Sequence, residues 1–168
     1  DLYKPNFTTE FRRAKVTSPD STFSATGSWQ HTDGNGKTDA QFTLKINDAG
    51  KFLKRLGYSD LVKNGNGTIS GNLSWRDYPF NPHYSSLSGD LKAEIKSGAF
   101  LKADPGAARL LGIASFQSIF SRLSLDFRDL VEEGYAFKEI TMNGEVSDGV
   151  MKTKNLKIEG VTASVLIE

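Results

Sequence analysis

The chain lacks cysteine throughout its 168 residues. Disulfides, thiol chemistry and cysteine metal sites are therefore excluded, which fits either a reducing compartment or an envelope protein that avoids mispairing. It also lacks net charge: 21 Lys+Arg against 20 Asp+Glu leave +1, too weak a field to argue for nucleic acid or an anionic membrane surface. No window reaches the ~18 consecutive apolar residues of a spanning helix. The longest apolar-rich run, "ARLLGIASFQSIFSRL", is broken by polar residues. Finally, the sequence has no initiator Met and closes on "ASVLIE", which reads as a strand in mid-course. It is expected to be a piece of a much longer protein whose targeting signals lie outside it.

What the sequence does have is apolar content of 38%, enough for one core, so residues 1–168 are expected to form a single domain. The dominant pattern is alternation. Phe23, Ala25, Gly27 and Trp29 occupy every second position, as do Phe42, Leu44 and Ile46; Ile69, Gly71, Leu73 and Trp75; Leu87, Gly89, Leu91, Ala93 and Ile95; and Leu123, Leu125 and Phe127, with polar residues between them. Period two with one polar face predicts an antiparallel sheet, since buried parallel strands would be apolar on both faces. Glycines recur inside these strands, in "SATGSW", "TISGNLSW", "SLSGDLKAEI" and "TMNGEVSDG". A strand tolerates glycine where it bulges, bends or admits a close approach, so a strongly curved sheet is expected.

Reversals are expected at "SPDS" (18–21), "DGNGKTD" (33–39) and "NGNG" (64–67), and three strands in meander at 135–167. Two short amphipathic helices complete an α+β, mainly β, fold. Asp48 caps the first, with Ala49, Phe52, Leu53 and Leu56 on one face and Gly57 as its stop; the second opens at Asp104-Pro105 and carries Leu110 and Leu111 to Gly112.

Catalytic chemistry has little to draw on. His31 and His83 are the only histidines, beside turn-like sequence and without a carboxylate spaced to fix a tautomer, and no Ser-His-Asp arrangement assembles. "DGNGKTD" fails as a calcium loop, with Lys37 at the third ligand position and Leu44 where a bidentate Glu belongs. Asp126/Asp129 and Glu132/Glu133 read as solvated acids. "ADPGAARLLG" (103–112) lacks the Gly-Lys-Ser/Thr ending of a phosphate loop. No metal, cofactor or catalytic residue is expected.

The apolar face is what remains. Two short helices would struggle to roof about nine strands, each on the order of 30 Å long at ~3.3 Å per residue. Either the sheet closes on its own core, or the face is a groove for an apolar ligand. In the second case its lining is expected to include Phe23, Ala25, Trp29, Phe42, Leu44, Ile46, Ile69, Leu73, Trp75, Leu91, Ile95, Leu125 and Phe127, flanked by the helix of Asp104, Pro105, Leu110 and Leu111.

Longer stretches carry a resemblance. "GAFLKADPGAARLLG", "RLSLDFRDL" and "EGYAF", with "LGYSDLVKNGNGTISGNLSW" and "SPDSTFSATGSW" upstream, resemble the C-terminal AsmA-like region of the YhdP family. The likeness covers nearly the whole chain except "YPFNPHYSSL" (Tyr78–Leu87). It implies a Gram-negative protein anchored in the inner membrane by a helix outside this chain, with a long periplasmic body. In that body a curved β-sheet would carry phospholipids towards the outer membrane. The partners so implied are phospholipid acyl chains, and membranes reached through other parts of the protein; nucleic acid is not among them. Two other readings stand beside it, a structural or assembly module of the envelope with a closed core, and a hydrolase of envelope material.

Overall fold

The computed structural model describes residues 7–31, 36–58, 61–101, 135–153, 155–161 and 164–167. The elements are β1 (Phe7–Thr17), β2 (Ser21–His31), β3 (Lys37–Ile46), α1 (Ala49–Arg55), β4 (Val62–Arg76), β5 (Ser88–Phe100), β6 (Tyr135–Ser147), β7 (Val150–Thr153), β8 (Leu156–Gly160) and β9 (Ser164–Ile167). All nine strands belong to one antiparallel sheet in the order β1-β2-β3-β4-β5-β6-β8-β9, with β7 also paired to β6. The sheet is not closed: β1 and β9 are its edges. The protein is thus mainly β, and α1 is the one α-helix among the described residues. The expected second helix, with Asp104, Pro105, Leu110 and Leu111, and the strand of Leu125 and Phe127 lie outside the described residues.

The first helix forms as its sequence dictates. Asp48 is extended, and its carboxylate accepts the Lys51 amide at 3.0 Å. At the other end Gly57 takes φ 91, letting the Gly57 and Tyr58 amides reach the carbonyls of Lys54 and Leu53, the paired bonds of a Schellman stop. α1 packs on β4, where Ala49 fills the space a side chain on Gly65 would take.

Two expectations are corrected. "NGNG" is no reversal: Val62–Arg76 is one continuous strand, paired with β5 on both sides of the motif, as Lys63↔Ala99 and Thr68↔Glu94, and within it, as Asn64↔Gly98 and Asn66↔Lys96. The left-handed residues are real, with Asn64 at φ 57 and Gly65 at φ 88, but Ser97 on the facing strand also takes φ 57. The two strands kink together and stay paired. The C-terminal meander likewise has an interrupted middle strand. β7 and β8 both pair with β6, and the register slips between Gly144↔Thr153 and Thr141↔Lys157. Asn155 Oδ1 accepts the Asn143 amide at 2.9 Å, and Thr153 Oγ1 donates to the Asn143 carbonyl at 2.8 Å, so side chains replace the lost ladder bonds.

The driest packing is local. Tyr135, Phe137 and Ile158 are 5%, 3% and 3% exposed, with Ile95, Phe100, Ile140 and Leu156 against them. This cluster sits on β5, β6 and β8, towards the strand ends marked by the pair Phe100↔Tyr135.

Candidate functional site

Register decides which side chains share a face. Phe23, Leu44, Ile69, Ala93 and Met142 are successive partners across β2 to β6. The next row is Ala25, Phe42, Gly71, Leu91 and Gly144, and the one after it Gly27, Ala40, Leu73, Gly89 and Val146. Ile46, Gly67, Ile95, Ile140 and Ile158 make a row on one side, and Trp29, Thr38 and Trp75 a row on the other. Eleven of the thirteen expected lining residues therefore fall on a single face; Leu125 and Phe127 lie outside the described residues.

Around Leu73 and Leu91 large side chains stand beside small ones in two directions, whereas Phe23, Leu44 and Ile69 are large residues in succession. Leu91 stands between Gly71 and Gly144 across the strands and next to Gly89 along its own; Leu73 stands between Ala40 and Gly89 and next to Gly71. Phe42, Leu44, Ile69, Leu73 and Leu91 are all half-buried, whereas Ile46 at 5% and Ala93 at 9% are buried. A packed interior would leave such leucines and phenylalanines nearly dry.

The strand glycines are close-approach positions. A Cβ on Gly27 would collide with the Asp39 carbonyl oxygen, and one on Gly89, at φ 144, with that of Asn72. The opposite face is polar. Asn72 Nδ2 donates to Asp90 at 3.1 Å, and Lys37 pairs with Asp39 at 2.9 Å. Lys96 bridges Glu94 at 2.6 Å and Glu139 at 3.4 Å. The hydrogen bond to Glu94 and then that to Glu139 raise the Lys96 pKa, and Lys96 lowers that of Glu94. These pairs are solvated and screened, so they stabilise little. A shallow hollow of about 730 Å³ opens between the polar rows, bordered by Thr26, Ser28, Gln41, Asn72, Ser74 and Asp90.

Titratable groups do not converge. Among the described residues no cluster of His, Asp or Glu could hold a metal ion. His31 stacks on Phe7 at 5.0 Å and meets Trp29 at 5.5 Å, and His83 Nδ1 bonds Ser85 Oγ at 3.0 Å. Asp126, Asp129, Glu132 and Glu133 lie outside the described residues. No described helix is long and apolar enough to cross a membrane.

The sequence did not reveal how the tryptophan end of the face is tied down. Thr38, between Trp29 and Trp75, is fully buried, and its hydroxyl donates to the Asp77 carbonyl at 2.8 Å. Trp75 Nε1 donates to the Tyr78 carbonyl at 3.0 Å, and the Tyr78 ring lies 4.9 Å from that of Trp29. No local pattern could have shown the Thr38–Asp77 and Trp29–Tyr78 contacts, because their partners come from distant segments.

Comparison with known proteins gives a consistent picture. The model of the family described as YhdP protein matches residues 2–168. The chain is 28% identical over 152 residues to the intermembrane phospholipid transporter YhdP of Escherichia coli (strain K12), an alignment covering 88% of this chain and 12% of that protein. The chain thus corresponds to a small part of that relative's length. No solved structure matches significantly.

Proposed function

Since the chain belongs to the YhdP family, we propose that it is a segment of a periplasmic phospholipid-transport bridge between inner and outer membranes, holding acyl chains along the face of Leu73 and Leu91. The observation that carries this reading is that Phe42, Leu44, Ile69, Leu73 and Leu91 share one apolar face and stay half-buried there. Acyl chains complete its packing, while headgroups remain at the solvated rim.

The energetics favour such an occupant. At about 0.8 kcal/mol per buried methylene, a 16-carbon chain gains on the order of 12 kcal/mol before ordering costs. Recognition by hydrogen bonds is unnecessary, and interchangeable Leu, Ile, Phe and Ala side chains let a chain slide without a deep minimum. The work is transfer, not catalysis, and asks for no cofactor. The inner-membrane anchor belongs to parts of the protein beyond this chain.

A closed structural module is the second reading, favoured by the dry Tyr135–Phe137–Ile158 cluster. Native mass spectrometry of the chain purified from bacteria separates the two. Transport expects co-purified phospholipid that is lost in Leu73→Asp; a ligand-free mass in conditions that preserve non-covalent complexes would leave the structural module standing.

A further inference from the structure

The connection from β4 to β5 is built to present aromatic side chains. Tyr78–Leu87 reads "YPFNPHYSSL" and contains no Asp, Glu, Lys or Arg, in a chain that is 24% charged. Phe80 is 94% exposed, Tyr84 74% and Tyr78 51%. Exposed aromatics of this size are usually compensated by flexibility or by a partner. Here the backbone is tied down at every step.

The Asn81 amide donates to the Tyr78 carbonyl at 3.1 Å, closing a β-turn with Pro79 and Phe80 at its corners. Trp75 Nε1 bonds the same carbonyl. The Asp77 amide reaches the Gly36 carbonyl at 2.8 Å, the Arg76 amide donates to Ser86 Oγ at 2.9 Å, and the Gly149 amide donates to the Leu87 carbonyl at 2.8 Å. The tip is therefore held at the end of the sheet by the neighbouring reversals on both sides.

We propose that Tyr78–Leu87 is a membrane-docking wedge that inserts Phe80, flanked by Tyr78 and Tyr84, into the interfacial layer of a phospholipid bilayer. Three features select a bilayer over a protein. The segment carries no Asp, Glu, Lys or Arg whose charge would have to be desolvated. Its residues are the interfacial type, apolar rings with phenolic hydroxyls that stay hydrated. A single ring projecting from a proline-framed turn needs no complementary pocket, which a fluid bilayer does not have to supply. The tilted ring contact of Tyr78 with Trp29 joins the wedge to the Leu73 face, so the docked end is where acyl chains enter or leave. That last step rests on the transport reading; the insertion itself does not.

The test uses the whole chain with vesicles of zwitterionic phosphatidylcholine, alone and with added phosphatidylglycerol. The chain should co-sediment with both, with little effect of salt, because no charge is involved. Phe80→Ser, at a position too exposed to affect folding, should weaken partitioning on the order of tenfold. Phe80→Trp should add a tryptophan emission that shifts to the blue with vesicles and is quenched by brominated lipid. Partitioning unchanged in Phe80→Ser, binding abolished by salt, or no shift in Phe80→Trp would each overturn the proposal. Phe80-dependent self-association without vesicle binding would also overturn it and give the surface to a second copy. Co-purified phospholipid that persists when vesicle binding fails would sink the wedge alone; vesicle binding by a chain free of co-purified lipid would sink the transport reading alone.

Discussion

Arg55, in the last turn of α1, places its guanidinium on the carboxylate of Asp20, a residue 2% exposed in the turn between β1 and β2. The same turn's Asp20 carbonyl accepts the Asn47 amide at 2.8 Å, and Ser18 Oγ donates to the Asp20 carboxylate at 2.7 Å. A helix inserted between two neighbouring strands is thus latched to the hairpin beside them.

Arg55→Met should cost on the order of 1–3 kcal/mol, less than for a fully buried pair because the guanidinium is half exposed. Adding Asp20→Asn should recover part of that loss, since the stranded charge is removed. Additive losses in denaturant melts would show that the two residues are not coupled.

Asp48 contributes a pH dependence. The Lys51 amide, then the Lys51 ammonium at 3.0 Å, hold its carboxyl below the ordinary value. A depressed folded-state pKa stabilises the fold above the unfolded value and loses that contribution as pH falls through the folded one. The melting temperature should therefore drop on acidification from about pH 4 downward. Asp48→Asn, which keeps an acceptor but cannot titrate, should show a shallower drop. Asp48→Ala should lose about 1 kcal/mol at neutral pH. Identical acid profiles for the parent and Asp48→Asn would contradict this.

Gly89→Ala should be far more costly than Gly57→Ala. Both glycines have positive φ. However, a Cβ on Gly57 meets nothing within 4 Å, while one on Gly89 runs into the backbone of Asn72. Gly57→Ala should cost ~1–2 kcal/mol from the left-handed backbone alone, and Gly89→Ala at least that plus the displacement of a paired strand. Equal melting temperatures would mean that the sheet yields at Gly89.

Alternation made β2 to β5 legible almost residue by residue, because one polar and one apolar face leave a period-two signature that tertiary context does not blur. The capping residues of α1 were equally local. "NGNG" misled because positive φ serves a reversal and a paired kink equally well, and the deciding partner, Ser97, is thirty residues away. Thr38 and the aromatic end were invisible for the same reason. The expected lining residues Phe42, Leu73 and Leu91 could be placed on a common face, but exposure depends on what packs above them, which alternation does not encode.

Leu73→Asp should separate a path from a core. On a lipid-bearing face the charge obstructs apolar passage, so bound phospholipid should disappear while the chain still melts cooperatively near the parent temperature. An insoluble or molten variant would mean that the charge had been forced into an interior.

The most direct measurement places a photo-activated crosslinker at position 91 of the protein in living bacteria. Leu91 lies mid-sheet between Gly71 and Gly144, where the proposed path would be deepest. Transport predicts an adduct with the mass of a phospholipid, repeated at position 73 and absent at position 72 on the polar face. Crosslinks from positions 91 and 73 that reach only the protein's own side chains would contradict it.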